Sequence, residues 1–261
     1  MVEQRRDAEP LHVDRRADRV VATLDRPAAR NAIDQDLVDR LHALCAELEA
    51  DPRVLIVTGS GGVFAAGADI AQLRERGAAD ALEGINTRLF ERIRDLPMPV
   101  IAAIDGYALG GGAELAYAAD LRIASPDLKI GNPETGLGIV AAAGATWRLP
   151  AIVGEARAAE LLLTGRVLDA GTALAWGVVS AVHPVDELMD AAHALADRIA
   201  TNDPLATQHT KRALRAGHDV EAVLALQAEL FESPEKHHRM TAFLERPSTG
   251  SGSEQRAGRE R

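Results

Sequence analysis

One carboxylate, Glu114, lies in a stretch of glycine, alanine and leucine that reads GYALGGGAELAYAAD at residues 106–120. A buried carboxylate must be neutralised, paired or used in chemistry, because an isolated charge is costly away from water. A glutamate in the first turn of a helix can also simply complement the helix dipole, a contribution of about 0.3–1 kcal/mol. A solvent-facing cap usually has polar neighbours, whereas Ala113 and Leu115 are apolar, so the sequence counts against that simple role.

Two glycine-containing junctions, FAAGADI at 64–70 and ALGGGAEL at 108–115, each follow an apolar strand pattern and lead into a helix. Small residues around Gly67 let the backbone approach a ligand, and the amide of Ala68 stands near a helix start, where N–H groups lack intrahelical acceptors. At the second junction, backbone donors and the positive end of the helix dipole point at one place. Each junction alone is also consistent with a tight turn. Together, at one edge of a sheet, they predict a two-donor oxyanion hole.

A second candidate carboxylate, Glu134, occurs in KIGNPETGLGIV at residues 129–140. The chain is held extended before Pro133, and the following glycines allow sharp bends, so the glutamate is expected on a loop. Loops on rigid scaffolds are where catalytic groups tend to lie, although an ordinary surface glutamate is the common alternative. The GLGIVA segment at 136–141 matches a loose dinucleotide-binding pattern, but the strand and the acidic residue that this pattern requires are missing.

The composition excludes several function classes. A formal net charge of −10 argues against a general nucleic-acid binder, which would need a basic face. No apolar run approaches the roughly 20 residues of a membrane helix, and the polar start lacks the apolar stretch of a secretory signal. The single cysteine, Cys45, rules out a disulfide framework and is expected to be a small buried residue of a cytoplasmic protein.

Motifs for other enzyme classes are also missing. The sequence has no G-x-S-x-G, no P-loop, no H-E-x-x-H and no paired cysteine motif, which leaves serine-hydrolase, nucleotide-hydrolase and zinc chemistry without support. The tandem His237 and His238 point in different directions on a helix, so we expect no metal site there.

The segments that position the candidate groups alternate between strand and helix patterns. Apolar runs at 19–25, 54–59 and 98–105 predict strands, and apolar positions at helical spacing predict helices over 34–50 and from about 69 to 95. The wholly apolar character of 54–59 suits a strand that is covered on both faces. The repeated strand–turn–helix order predicts an α/β fold with right-handed crossovers.

The second half of the chain is dominated by helical patterns, interrupted by a short strand predicted at VVSAV, residues 178–182. The first ten residues are expected to form a flexible leader. Residues 247–261 combine proline, glycine, serine and charge without an apolar period, which predicts a disordered tail.

Several motifs, in the order in which they occur, resemble the crotonase (enoyl-CoA hydratase/isomerase) superfamily from about residue 10 to residue 245. The central block at 99–120 is the most specific part of the resemblance. The motifs are LDRPAARNAI at 24–33, FAAGADI at 64–70, PVIAAIDGYALGGGAELA at 99–116, DLRIAS at 120–125, NPETGLG at 132–138 and RL at 148–149.

This resemblance implies a spiral core of ββα units over residues 11–195 and a helical trimerisation region over 196–246. It also implies a homo-oligomer, either a trimer or a hexamer built as a dimer of trimers. The expected ligand is an acyl-CoA thioester, so coenzyme A belongs to the substrate and no separate cofactor is expected.

By motif position, the amides of Ala68 and Gly111 match the donors that hold the thioester oxygen in this superfamily. Ala66 matches a backbone contact to the CoA adenine, and Arg26 and Arg30 fall where the first strand-to-helix turn passes the CoA phosphates. The remaining positions expected to contact substrate or CoA are Gly67, Asp69, Gly110 and Ala142.

Glu114 and Glu134 match the two positions that hold glutamates in hydratases. The resemblance therefore implies syn addition of water to a trans-2-enoyl-CoA: the two carboxyl groups hold the water, Glu114 takes its proton and Glu134 protonates C2. It also explains the apolar setting of Glu114, since a dry thioester pocket raises the pKa of a carboxyl group. A Δ3,Δ2-enoyl-CoA isomerase, another acyl-CoA enzyme of the crotonase superfamily and a non-catalytic CoA- or RNA-binding protein stay open as alternatives.

The segment AAAGATWRL at 141–149 departs from the hydratase pattern. Ala142 stands where a glycine is typical, so its methyl group is expected to narrow the pocket and to be strained if φ is positive. Trp147 is expected to add bulk near the pocket.

Overall fold

The computed structural model of the protein describes residues 9–245. The predicted disordered tail at 247–261 lies outside the described residues, as does the predicted leader at 1–10 apart from its last two residues. Within 9–245, no helix combines the length and the apolar character needed to cross a membrane.

Strands are concentrated in the first two thirds of the chain and helices in the last third. The strands are β1 (Leu11–Arg15), β2 (Arg19–Leu24), β3 (Val54–Gly59), β4 (Val63–Ala65), β5 (Val100–Ile104), β6 (Tyr107–Leu109), β7 (Leu121–Ala124), β8 (Lys129–Gly131), β9 (Val167–Asp169) and β10 (Ala181–Val182). The helices are α1 (Gln35–Ala50), α2 (Ile70–Glu75), α3 (Ala78–Glu83), α4 (Ile85–Asp95), α5 (Gly111–Ala118), α6 (Ala145–Val153), α7 (Glu155–Thr164), α8 (Ala170–Ala175), α9 (Leu188–Ala200), α10 (Pro204–Arg215), α11 (Val220–Phe231) and α12 (Pro234–Leu244). Short 3-10 turns cover Pro27–Ala29 and Glu134–Leu137.

The strands form two sheets. The larger has the order β1-β2-β3-β5-β7-β10 and is parallel except for the β1–β2 pair. The smaller has the order β4-β6-β8-β9, in which only β8 and β9 run antiparallel. In the pairs β3–β4, β5–β6 and β7–β8, the first strand belongs to the larger sheet and the second to the smaller one. Helix α2 follows the first of these pairs and α5 follows the second. These repeated ββα units confirm the predicted α/β spiral.

The central strands β3 and β5 are buried on both faces, as the apolar sequence of 54–59 predicts. On one face, Leu55 and Val57 belong to the main core, which includes residues of α1 and α4. On the other face, Val54 and Ile56 pack in a second cluster with residues of α9, among them Leu188. The predicted helix at 34–50 is observed as α1, with Asp34 as its N-cap.

Three details differ from the sequence prediction. β1 was not predicted, because charged residues break up its apolar positions; it is an edge strand with one fully buried residue. The helical pair predicted over 69–95 is three helices, since Gly77 and Gly84 separate α2, α3 and α4, and Gly84 has φ 61°. Of the strand predicted at 178–182, only the last two residues form a strand, β10. The amides of Val178 and Val179 instead donate to the carbonyl of Ala173 in α8.

The chain divides into two compact units at the bond between Lys211 and Arg212. The first unit contains both sheets and α1 to α9; the second contains α11 and α12. The domain boundary predicted at residue 196 and the trimerisation role of 196–246 stay predictions.

Candidate active site

The two glycine junctions meet at the start of α5. A β-carbon placed on Gly67 would lie 3.2 Å from the carbonyl oxygen of Leu109 and 3.9 Å from the amide nitrogen of Gly111. A β-carbon on Gly111 would in turn lie 3.4 Å from the amide nitrogen of Ala68. The predicted convergence of the two backbone donors is therefore present in the structure.

Neither of these N–H groups donates to a protein acceptor in the part of the chain that the structure describes. Gly111 is the first residue of α5, so its amide has no intrahelical partner and lies at the positive end of the helix dipole. The Ala68 amide is held beside it because the neighbouring Asp69 amide donates to Ile33. Two free donors at one point can stabilise a single oxyanion.

Glu114 is buried, with 3% of its surface exposed, and every residue of α5 around it is buried as well. Its Oε1 accepts hydrogen bonds from the amides of Ala143 at 2.7 Å and Ala145 at 3.1 Å. Burial raises the pKa of Glu114 to about 7, and the nearby charge of Glu134 adds to the rise, while the two amides and Arg148 oppose it. Such a carboxyl group can exchange protons near neutral pH.

Glu134 begins the 3-10 turn and is also buried, at 8% exposed. Its Oε1 accepts a hydrogen bond of 3.2 Å from Nδ2 of Asn132, whereas its Oε2 is buried without a partner among the described residues. Burial raises the pKa of Glu134, which favours the protonated form. A β-carbon on Gly110 would lie 3.2 Å from Oε1 of Glu134, so the second glycine junction runs directly beside this carboxyl group.

Both carboxyl groups and both free amides line one cavity of about 490 Å³. Apolar side chains from α2, from α4 and from the loop after Glu134 form much of the wall around them: Ile70, Leu73, Ile85, Leu137, Ile139 and Val140. The cavity therefore joins an oxyanion site, two protonatable groups and an apolar wall. Among residues 9–245 no cluster of three or more metal-ligating side chains occurs.

Known proteins that resemble this chain in sequence and in fold include enoyl-CoA hydratases. The family model described as "Enoyl-CoA hydratase/isomerase" matches residues 16–250. The chain belongs to this family. The short-chain-enoyl-CoA hydratase of Clostridium acetobutylicum is 38% identical, over 87% of this chain and 91% of the relative. The crotonyl-CoA hydratase of Syntrophomonas wolfei is 38% identical with the same coverage.

Solved structures lead to the same family. The crystal structure of an enoyl-CoA hydratase from Bacillus anthracis matches with a TM-score of 0.84 and 33% identity, covering 90% of this chain and 96% of that one. The predicted superfamily, fold and enzymatic character are confirmed.

The residues predicted to bind CoA in this enoyl-CoA hydratase/isomerase family member divide into two groups. Ala66, Gly67, Gly110 and Ala142 line the cavity beside the carboxyl groups. The other three residues, Arg26, Arg30 and Asp69, do not belong to the cavity wall formed by the described residues.

The structure gives these three residues contacts within the chain. Arg26 donates a hydrogen bond to the carbonyl of Ala32. Its guanidinium also forms ion pairs with Asp34 at 2.8 Å and with Asp69 at 3.8 Å. Asp69 caps α2, and the guanidinium of Arg30 lies 5.3 Å from the ring centroid of Tyr107. Their CoA contacts stay predictions.

The departure from the hydratase pattern at 141–149 changes the cavity less than the sequence suggested. Ala142 lines the cavity, and its φ is not positive. Within 9–245, the non-glycine residues with positive φ are Arg30 and Asn31. The carbonyl of Ala142 accepts a hydrogen bond from Thr87. The prediction that Trp147 adds bulk near the pocket is wrong. The residue is 46% exposed and forms no part of the cavity wall, and the buried residue at this point of α6 is Arg148.

Sequence reasoning missed three polar residues of the site. Asn132 fixes Glu134, as described above. Arg148 is buried under the turn that holds Glu114 and pairs with Glu91 at 2.7 Å. Asn86 lines the cavity beside Gly111. The first two lie within motifs that marked the family, but nothing in the sequence distinguished Asn86 from an exposed helix residue.

Proposed function

We propose that the protein is an enoyl-CoA hydratase, which adds water across the 2,3 double bond of a trans-2-enoyl-CoA to give a 3-hydroxyacyl-CoA. The observation that carries this proposal is the pair of buried carboxyl groups, Glu114 and Glu134, in one cavity with two free backbone amides. The activities named for the relatives support it. An isomerase needs only one carboxylate to move a proton, so two buried carboxyl groups favour hydration.

The reaction follows from the positions of these groups. The thioester oxygen accepts hydrogen bonds from the amides of Ala68 and Gly111, which draws electrons from C3 and prepares it for attack. A water molecule lies between the two carboxyl groups. Its oxygen bonds to C3, its proton passes to Glu114, and the electron pair of the double bond moves into the enolate.

The second step restores the thioester. Glu134, whose raised pKa favours the protonated form, gives a proton to C2 as the enolate collapses. The proton on Glu114 then returns through solvent to reset the pair. The Ala143 and Ala145 amides hold one oxygen of Glu114 and leave the other to contact water.

The test is hydration of crotonyl-CoA, followed as loss of the near-ultraviolet absorbance of the conjugated thioester. We expect Glu114→Gln and Glu134→Gln each to lower kcat by orders of magnitude, and Glu155→Gln, which changes an exposed first-turn glutamate of α7, to have no effect. A 3-enoyl-CoA substrate is the second arm, since an isomerase creates the conjugated absorbance from it. If the wild type converts neither substrate but still binds CoA, the binding-protein alternative is correct.

We also propose that the protein acts as a homo-oligomer, a trimer or hexamer, in the cytoplasm, on acyl-CoA of fatty-acid β-oxidation or a related route, without a separate cofactor. Cys45 supports a reducing compartment, because it is the single cysteine of the sequence and forms no disulfide. Sedimentation of the purified protein tests the assembly.

A further inference from the structure

Asn86, the second residue of α4, places an unused amide group in the wall of the cavity. Its Oδ1 is buried and has no hydrogen-bond partner among the described residues. Its Nδ2 makes no hydrogen bond to another described residue either. A polar side chain left unpaired inside a protein costs free energy, so such a group calls for an explanation.

The position of this amide is specific. A β-carbon on Gly111 would lie 3.6 Å from Nδ2 of Asn86 and 3.4 Å from the amide nitrogen of Ala68. Three nitrogen donors, two from the backbone and one from a side chain, therefore surround one small space at the start of α5.

The helix that carries Asn86 is firmly held. Thr87, the next residue, donates from Oγ1 to the carbonyl of Ala142 at 3.0 Å, which ties α4 to another segment of the cavity wall. Leu89, Phe90 and Ile93 anchor the rest of the helix in the core. The Asn86 amide is thus presented from a rigid element, as a catalytic donor must be.

We propose that Nδ2 of Asn86 donates a third hydrogen bond to the thioester oxygen of the substrate, beside the amides of Ala68 and Gly111, and so is a further catalytic residue. This proposal rests on the proposed hydratase function. The bond strengthens as the oxygen gains negative charge in the enolate, which is how a donor lowers a barrier. With Nδ2 toward the oxygen, the acceptor Oδ1 faces away from the developing charge, whereas the opposite orientation would be repulsive.

The decisive variants are Asn86→Leu, which keeps a similar size without a donor, and Asn86→Asp, which keeps the shape and replaces the donor by a carboxylate. We expect Asn86→Leu to lower kcat about 10²-fold with little change in KM, as for loss of one side-chain oxyanion donor. Asn86→Asp is expected to lower kcat further, because its charge repels the enolate. The matched control is Asn202→Leu, at an exposed asparagine beyond α9.

A spectroscopic readout separates contact with the oxygen from a packing role. Hexa-2,4-dienoyl-CoA bound to the wild type should show a red-shifted near-ultraviolet band, because donors at the thioester oxygen polarise the conjugated chain. The red shift should be smaller in Asn86→Leu and smallest in Asn86→Asp, and unchanged in Asn202→Leu. Affinity for coenzyme A itself, measured by calorimetry, should be the same in all four proteins.

Two results would overturn the assignment: Asn86→Leu with unaltered kcat, or a lowered kcat with an unaltered band. If Asn86→Leu does not fold, Asn86→Ala, which also removes the donor without adding a charge, decides the question by the same criteria. Failure of the hydratase function looks different, since the wild type itself would then not hydrate crotonyl-CoA, whether or not it shifts the dienoyl band.

Discussion

Removal of the Glu114 charge should stabilise the protein at alkaline pH while it abolishes activity. In the folded protein, burial raises the pKa of this carboxyl group from 4.5 to about 7. The folded state therefore binds more protons than the unfolded state between these two values, and the free energy of unfolding falls as the pH rises through this window. Since one pKa unit corresponds to about 1.4 kcal/mol, ionised Glu114 lowers that free energy by about 3 kcal/mol above the folded pKa.

The assay is urea unfolding of the wild type and of Glu114→Gln at about pH 5 and about pH 8, at one protein concentration so that any assembly contributes equally. Glutamine keeps the oxygen that accepts the Ala143 and Ala145 amides, so the variant loses the charge and little else. We expect its advantage over the wild type to grow by about 2–3 kcal/mol between the two pH values, since a small part of the effect is already present at about pH 5. Glu155→Gln, the exposed control, should show no such growth.

The result that would refute this reasoning is a Glu114→Gln variant whose stability relative to the wild type is the same at both pH values. The carboxyl group would then titrate as it does in water, and a dry site for a general base would not exist. A variant that is inactive and more stable at high pH would instead show that this buried charge is kept for function at a cost in stability.

Two further predictions concern the same pair of carboxyl groups. kcat/KM for crotonyl-CoA should rise with pH through about 7, because Glu114 must be ionised to take a proton, and a flat profile would contradict its role as base. Gly110→Ala should lower the free energy of unfolding by about 1–3 kcal/mol, because the φ of this residue is 52°. It should also lower kcat, because the new methyl group would meet Oε1 of Glu134. Gly138→Ala, also at positive φ but with open space around it, should lower only the stability.

The sequence predicted the parts of the site that depend on local pattern. The apolar runs at 54–59 and 98–105 required buried strands, and glycine after each strand required a turn into a helix, so the meeting of Ala68 and Gly111 followed from the parallel sheet. The apolar flanks of Glu114 likewise predicted its burial. The predictions of burial succeeded because they rest on neighbours within a few positions in the chain, and the meeting of the two junctions succeeded because parallel strands bring their ends to one edge of a sheet.

Contacts between distant segments that the order of strands does not bring together could not be predicted from the sequence pattern. The amides that hold Glu114 come from positions 29 and 31 residues later. Arg26 resembled a surface cation near the CoA phosphates, yet its partners Asp34 and Asp69 lie on separate elements. Trp147 is exposed and Arg148 is buried because the start of α6, which decides which of them faces inward, depends on the fold of the preceding turn.

The use of main-chain groups explains why the altered segment at 141–149 is compatible with a complete site. The amides of Ala68, Gly111, Ala143 and Ala145 supply donors that almost any residue could supply, so the constraint falls on backbone conformation and not on side-chain type. Gly144 carries that constraint here: its φ is 138°, and a β-carbon would lie 2.6 Å from Nη1 of Arg148. Alanine at position 142 is tolerated because the positive φ falls at position 144, within the turn that holds Glu114.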